Sequence, residues 1–159
     1  KCTASTLTRE RLAIPLRRLS EIRKSAILLN PSSPRVLLRS DATDAIRSGV
    51  VAVDCSWEKA EGVFMARFPA ANRKLPDLLA ANPVSYARIG RLSTAEALSA
   101  ALYIMGFPSQ SRELLSPFRW GRTFFDLNGE ILPRYAKARS EHSVAKIELD
   151  FGLERLNGA

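Results

Sequence analysis

The sequence predicts an α/β protein, with an N-terminal parallel-sheet α/β lobe in residues 1–90 and a C-terminal all-helical lobe in residues 91–159. Three observations predict it. Residues 26–29 (AILL) and 50–54 (VVAVD) are short apolar runs without polar alternation, the pattern of strands covered on both faces in a parallel sheet. A capped helical stretch separates them, so the order is strand, helix, strand. Beyond residue 91 the apolar residues recur at helical spacing.

Each element has a local reason. TRERLAIPLRRL (8–19) has helical spacing until Pro15 breaks it. SAILLNPSSP (25–34) is a strand that runs into a Pro- and Ser-rich turn. SDATDAIRSG (40–49) is a helix capped by Ser40 or Asp41 and stopped by Gly49. Residues 67–92 are loop-rich, with three prolines, and include a further short strand near Leu78–Ala80. The lobe boundary falls near Ala87–Leu92. STAEALSAALYIMG (93–106) opens with a Ser93/Glu96 capping box, ends on Gly106 and places Leu98, Ala101, Leu102 and Met105 on one stripe. Three more helical stretches follow, over 109–118, 121–141 and 144–156, the second weakened by Gly129 and Pro133.

The 159 residues suit one domain or two small lobes that share an interface. No apolar run approaches the roughly 18 residues of a membrane span, and the opening residues do not read as a signal peptide. Starting at Lys1 rather than Met, the sequence is expected to lack a few preceding residues. Two cysteines and one histidine make neither a disulfide scaffold nor a standard zinc site, so no metal and a reducing, cytoplasmic setting are expected. Lys and Arg number 24 against 16 Asp and Glu, net +8, and the excess is uneven. Residues 1–39 carry nine basic side chains and two acids. Such a localised basic field points to a polyanion, nucleic acid first. Arg9, Arg11, Arg17, Arg18 and Lys24 form its core, and Arg73 with Lys74 adds a basic pair on a loop. Without an RNP-type aromatic motif, these contacts are expected to be mostly to phosphates.

Chemistry gathers at DCSW (54–57). Ligands of open α/β sheets sit beyond the carboxyl ends of the strands, where Asp54 can handle a proton and Trp57 offers a flat wall. The plainer alternative is a strand end capped by Asp with Trp at the core edge. Cys55 reads as a small structural hydrophobe, because nothing in the sequence brings His142 to it as a base. LLNPSSP (28–34) and AANPVSY (80–86) are Asn–Pro turns that can present backbone groups to a ligand. The helix start at Ser93 can receive an anion or simply cap itself. Neither a Gly-rich dinucleotide motif nor a P-loop is present.

Taken together, KCT (1–3), LLNPSSP, VVAVDCSW (50–57), LPDLLAANPVSY (75–86), LSTAEALSAALYIMG (92–106), LLSPFRWGRTFFDLN (114–128) and LPRY (132–135) resemble the small-subunit (16S/18S) rRNA aminocarboxypropyltransferases of archaea and eukaryotes. The family usually reads Asn–Tyr–Gly after its Asn–Pro–Val, where this chain has Ser85, Tyr86 and Ala87.

The resemblance implies a SPOUT-like fold with a deep trefoil knot in the helical lobe. It implies S-adenosylmethionine (SAM) as cosubstrate, whose 3-amino-3-carboxypropyl group is transferred to N3 of a uridine or pseudouridine in small-subunit rRNA during ribosome biogenesis. Carried over residue by residue, Leu29, Pro31 and Trp57 line one side of the SAM pocket, and Leu75, Leu92 and Ala97 the other. Backbone near Val53 meets the ribose, and backbone near Leu79 and Ala80 approaches the adenine. Thr3, Ser93 and Thr94 hold the amino-acid end, and Trp57 with Ala60 walls off the methyl. Asp54 is the candidate base for the N3 proton, or an orienting group. The implied partner is small-subunit rRNA or the pre-ribosomal small subunit, with a monomeric enzyme and no membrane partner. The rivals are a SPOUT RNA methyltransferase and a non-enzymatic rRNA-binding assembly factor.

Overall fold

The computed structural model describes residues 2–54 and 69–153. A three-stranded parallel sheet is formed by β1 (Ile27–Leu29), β2 (Val50–Ala52) and β3 (Ala71–Arg73), in the order β2-β1-β3. In register, Ile27 pairs with Val50 and Ala71, and Leu29 with Ala52 and Arg73. β1 is central and fully covered, with Ile27 and Leu28 wholly buried. β2 lies at the edge of this sheet and its three residues are half-buried, less enclosed than an unbroken VVAVD run suggests. The strand ends at Ala52, which leaves Val53 and Asp54 beyond its carboxyl end.

The third strand is not at Leu78–Ala80. There the backbone makes only an isolated antiparallel bridge, Leu79 to Ile89. β3 is instead Ala-Asn-Arg, with no apolar run to announce it. Its polar side chains are satisfied locally: the Asn30 amide donates to Asn72 Oδ1 at 3.0 Å, and Arg73 Nε donates to Asp41 Oδ1 at 3.1 Å. That use of Asp41 corrects a second expectation. Its carboxylate also accepts from Leu38 N–H at 2.9 Å, so it closes the turn before α2 (Ala42–Ser48) rather than capping that helix. Gly49, at φ 92°, stops α2 as expected.

The first helix, α1 (Thr3–Arg9), lies earlier than the 8–19 pattern suggests. Arg11 adopts φ 58°, and Leu12 N–H returns to Leu7 C=O at 2.8 Å, which ends the helix well before Pro15. Five further α-helices follow β3 among the described residues: α3 (Thr94–Ile104), α4 (Pro108–Leu115), α5 (Gly121–Asn128), α6 (Ile131–Lys137) and α7 (Glu141–Asp150). α3 has the expected capping box, and a Schellman turn at its end in which Gly106 N–H meets Tyr103 C=O and Phe107 N–H meets Leu102 C=O. The 121–141 stretch breaks at Gly129–Glu130. Pro133 then falls in the first turn of α6, where its missing N–H costs no helical bond.

α3 is the hub. It packs on β2, α1, α4 and α6, and one continuous apolar core runs from Leu7 and β1 through Ala95, Ala101 and Ile104 to Tyr135 and Val144. Against α4, Ser99 and Ser111 are both fully buried and each hydroxyl donates to the other residue's carbonyl, at 2.8 and 2.7 Å.

Candidate active site

A cleft of about 1040 Å³ opens where the three strands end. Leu29 and Pro31 follow β1, Val53 and Asp54 follow β2, and Lys74 and Leu75 follow β3; all six border it. Its opposite border is the start of α3, from Leu92 through Ser93 and Thr94 to Ala97, and Thr3 of α1 completes the junction. Ten residues expected at a cofactor or catalytic site therefore meet in one place: Thr3, Leu29, Pro31, Val53, Asp54, Leu75, Leu92, Ser93, Thr94 and Ala97. Position beyond the carboxyl ends of a parallel sheet accounts for that convergence.

Leu79 and Ala80 are not among the residues that border the cleft. Asn128 occupies both backbone groups of Leu79, at 2.9 Å each, and Ala80 exchanges backbone bonds with Ala87 and Arg88. Trp57 and Ala60, together with Cys55, lie outside the described residues. His142 is exposed on α7.

The polar end of the cleft is built by three elements. Asp54 accepts a hydrogen bond from the Cys2 thiol at 2.9 Å on one oxygen and from the Thr94 hydroxyl at 3.3 Å on the other. Thr3 Oγ1 accepts from Ala95 N–H at 3.2 Å, so the α1 start seats directly on the α3 start. A carboxylate held on both oxygens has a defined direction, which a proton acceptor requires.

Glu96 holds the neighbouring loop. It is fully buried, and its carboxylate accepts from four donors: Ala81 N at 2.6 Å, Asn82 N at 3.1 Å, Asn82 Nδ2 at 2.8 Å and Ser93 N at 2.7 Å. Asn82 Oδ1 in turn accepts from Ser85 N–H. The cleft residues Asn82–Ser85 are thus pinned to α3. Reading Glu96 only as a cap partner misses this; its signal is the capping box, but the loop it also serves comes from ten and more residues upstream. The next segment is held likewise: Asp77 N–H donates to Glu148 at 2.9 Å, and the Tyr135 hydroxyl donates to Asp77 C=O at 2.8 Å. Burial, with Glu148 and Asp77 nearby, pushes the Tyr135 phenol well above its ordinary range.

Of the basic residues expected to meet RNA, Arg9 and Lys74 border the cleft, where Arg91 joins them. Arg11, Arg17, Arg18 and Lys24 are exposed, and the first three line a second groove, with Arg23, on the far side of Asp54. Arg17 and Arg18 N–H groups donate to Glu21, and those bonds hold its carboxyl below the usual range. Arg73 does not join this surface. Its side chain is 14% exposed, paired with an Asp41 carboxylate that is 10% exposed, and its guanidinium also donates to Asn72 C=O. It is a structural ion pair, a role that a polar loop sequence conceals. Phe118 and Trp120 also border the cleft; the Phe–Arg–Trp–Gly stretch was the signal for them.

Among the described residues, no group of three or more His, Cys, Asp or Glu is placed to hold a metal ion, and no helix is long and apolar enough to cross a membrane.

The family described as "Ribosome biogenesis protein, C-terminal" matches residues 27–152. The 16S rRNA aminocarboxypropyltransferase of Methanosarcina acetivorans is 39% identical over 93% of this chain and 84% of its own length. That of Methanopyrus kandleri is 40% identical over 94% and 89%, and that of Halobacterium salinarum 43% over 93% and 86%. The solved SAM-dependent rRNA:acp-transferase of Vulcanisaeta distributa superposes with a TM-score of 0.86, at 36% identity, covering 98% of this chain and 88% of its own. With a fold and a sequence similar to theirs over nearly its whole length, this chain belongs to the family of ribosome biogenesis proteins that includes the 16S rRNA aminocarboxypropyltransferases.

Proposed function

We propose that this protein is a SAM-dependent transferase that places a 3-amino-3-carboxypropyl group on small-subunit rRNA, at N3 of a uridine or pseudouridine, in ribosome biogenesis. The observation that carries the proposal is the cleft itself: an apolar slot that ends in a directed carboxylate, in a chain about two-fifths identical to enzymes of that name. The residues fit the cosubstrate. Leu29 and Pro31 face a slot closed by Leu75, Leu92 and Ala97, suited to an adenosine, and the start of α3 with the Thr3 and Thr94 hydroxyls suits an amino acid's polar end. When bound, SAM supplies a sulfonium bearing three electrophilic carbons.

The chain's own part is orientation and proton removal. Selection among the three carbons is a matter of which one lies in line with the nucleophile. Trp57 and Ala60 are assigned to shield the methyl. Asp54, directed by Cys2 and Thr94, takes the N3 proton, because a protonated N3 is a poor nucleophile. Arg9 and Lys74 at the cleft, with Arg11, Arg17, Arg18 and Lys24 beyond it, hold phosphates. The two-lobe division at residue 90, the SPOUT-like knot, monomeric action and a cytoplasmic setting belong to the same proposal.

The test is a paired label-transfer assay on small subunits lacking the modification, with SAM labelled in the carboxyl or in the methyl group. Carboxyl label alone in the RNA is expected. Asp54→Asn should lower that transfer by roughly 10²-fold or more while SAM still binds. Methyl label alone would identify a methyltransferase. No label on a competent substrate, with RNA bound, would identify an assembly factor.

A further inference from the structure

The cleft has a lining beyond the apolar slot assigned to the cosubstrate. Its volume of about 1040 Å³ lies at the top of the roughly 300–1,000 Å³ range of small-ligand pockets. The apolar slot accounts for part of the lining. The remainder includes two aromatic rings, Phe118 and Trp120, stacked with centroids 4.8 Å and planes 29° apart. Among the described residues no other aromatic ring borders the cleft. Both pack against the core yet stay only half-buried, so part of each remains open to the cleft.

The turn between α4 and α5 is built to present them. Phe118 N–H closes on Leu115 C=O at 3.1 Å, and Gly121 N–H on Phe118 C=O at 3.0 Å. At Gly121 any Cβ would collide with the Leu115 carbonyl, so only glycine permits this close approach. Arg119 lies between the two rings in sequence and Arg122 follows them, both exposed, and Arg9, Lys74 and Arg91 share the cleft with Asp54 and Asp77. The surroundings favour a phosphate-bearing ligand.

The proposed reaction sets what that ligand must be. N3 lies on the Watson–Crick edge, so the target base has to be unpaired or extruded before N3 is accessible. An extruded base loses its stacking neighbours, and proteins that receive one replace them with aromatic faces. We propose that Phe118 and Trp120 form a stacking platform for an unpaired nucleobase of the RNA substrate. This rests on the RNA-modifying function proposed above and names its substrate as single-stranded at the target.

The probes are a labelled oligouridine strand and a fully paired RNA duplex of equal length, titrated by fluorescence anisotropy. Trp120→Leu keeps an apolar side chain but removes the large π-face; Trp120→Tyr keeps an aromatic one. Trp120→Leu should weaken single-strand binding by about tenfold or more, with duplex and SAM affinities within about twofold of wild type and Trp120→Tyr close to it. Unchanged single-strand affinity overturns the platform, as does equal loss on strand and duplex, or loss of SAM binding alone. If Trp120→Leu does not fold, emission answers instead. The chain has two tryptophans, so in Trp57→Phe the oligouridine should quench Trp120, and bound RNA without quenching overturns the proposal. Failure of wild type to transfer carboxyl label, with the affinity pattern intact, would remove the function and leave the platform; transfer with unchanged strand affinities would remove the platform alone.

Discussion

Ala87 sits at φ 61°, in the left-handed region that a Cβ opposes. It is held there by a bond from its own N–H to Ala80 C=O at 2.7 Å, at the position where the family resemblance leads one to expect glycine. Replacing it relieves the strain at some cost in unfolded-state entropy. Ala87→Gly should therefore stabilise the protein by about 0.5–1 kcal/mol in denaturant titration; a loss of stability would contradict the strain. Tyr135 makes a different prediction. Its folded-state phenol is held above the ordinary value of 10.0 by burial. Its contribution is therefore intact below about pH 10 and is lost as pH rises beyond that, because the unfolded chain ionises first. Tyr135→Phe should reduce the alkaline fall in stability relative to wild type, while losing the bond to Asp77 C=O, worth about 1 kcal/mol at neutral pH. Identical pH slopes for the two proteins would count against it.

At the scale of elements, α3 organises the cleft through a single carboxylate. Glu96 → Gln keeps the shape but turns one acceptor oxygen into a donor facing donors from Ala81, Asn82 or Ser93. With those groups buried, the change should cost about 3 kcal/mol, read by chemical denaturation, and should weaken SAM binding because the Asn82–Ser85 wall is freed. A variant as stable as wild type would mean the loop is held by something else. The capping box was legible from Ser93 and Glu96, because it is encoded within four consecutive residues. The loop side of the same carboxylate was not, because it depends on how residues 81–82 approach in space. β3 shows the same limit. Ala-Asn-Arg carries no strand signal, and it pairs because β1 offers a free edge and Asn30 and Asp41 satisfy its side chains.

For the whole molecule, the basic N-terminal quarter is the long-range feature. Arg11, Arg17, Arg18 and Lys24 remain exposed on the folded chain, and they lie apart from the apolar slot. Neutralising Arg17, Arg18 and Lys24 together should weaken RNA binding and flatten its salt dependence by about three units of log–log slope at most, with SAM affinity unchanged. Parallel loss of both affinities would indicate a damaged fold instead. Arg73 stands outside this set: its replacement should cost stability through Asp41 and leave the salt slope alone.

The sequence by itself determined the parallel α/β start, the helical remainder, the basic field, and two parts of the cleft, Asp54 at a strand end and the Ser93 helix start, whereas Leu29, Pro31 and Leu75 were expected there only through the family resemblance. Local pattern suffices there because strand ends and helix caps are specified by neighbours in the chain. Only the tertiary structure decided that Arg73 is buried against Asp41, that Asn128 holds both backbone groups of Leu79, that Cys2 and Thr94 direct Asp54, and that Phe118 and Trp120 stack at the cleft. Each of these joins residues far apart in sequence or depends on which side of a turn faces solvent, and neither leaves a period, a cap or a composition to read.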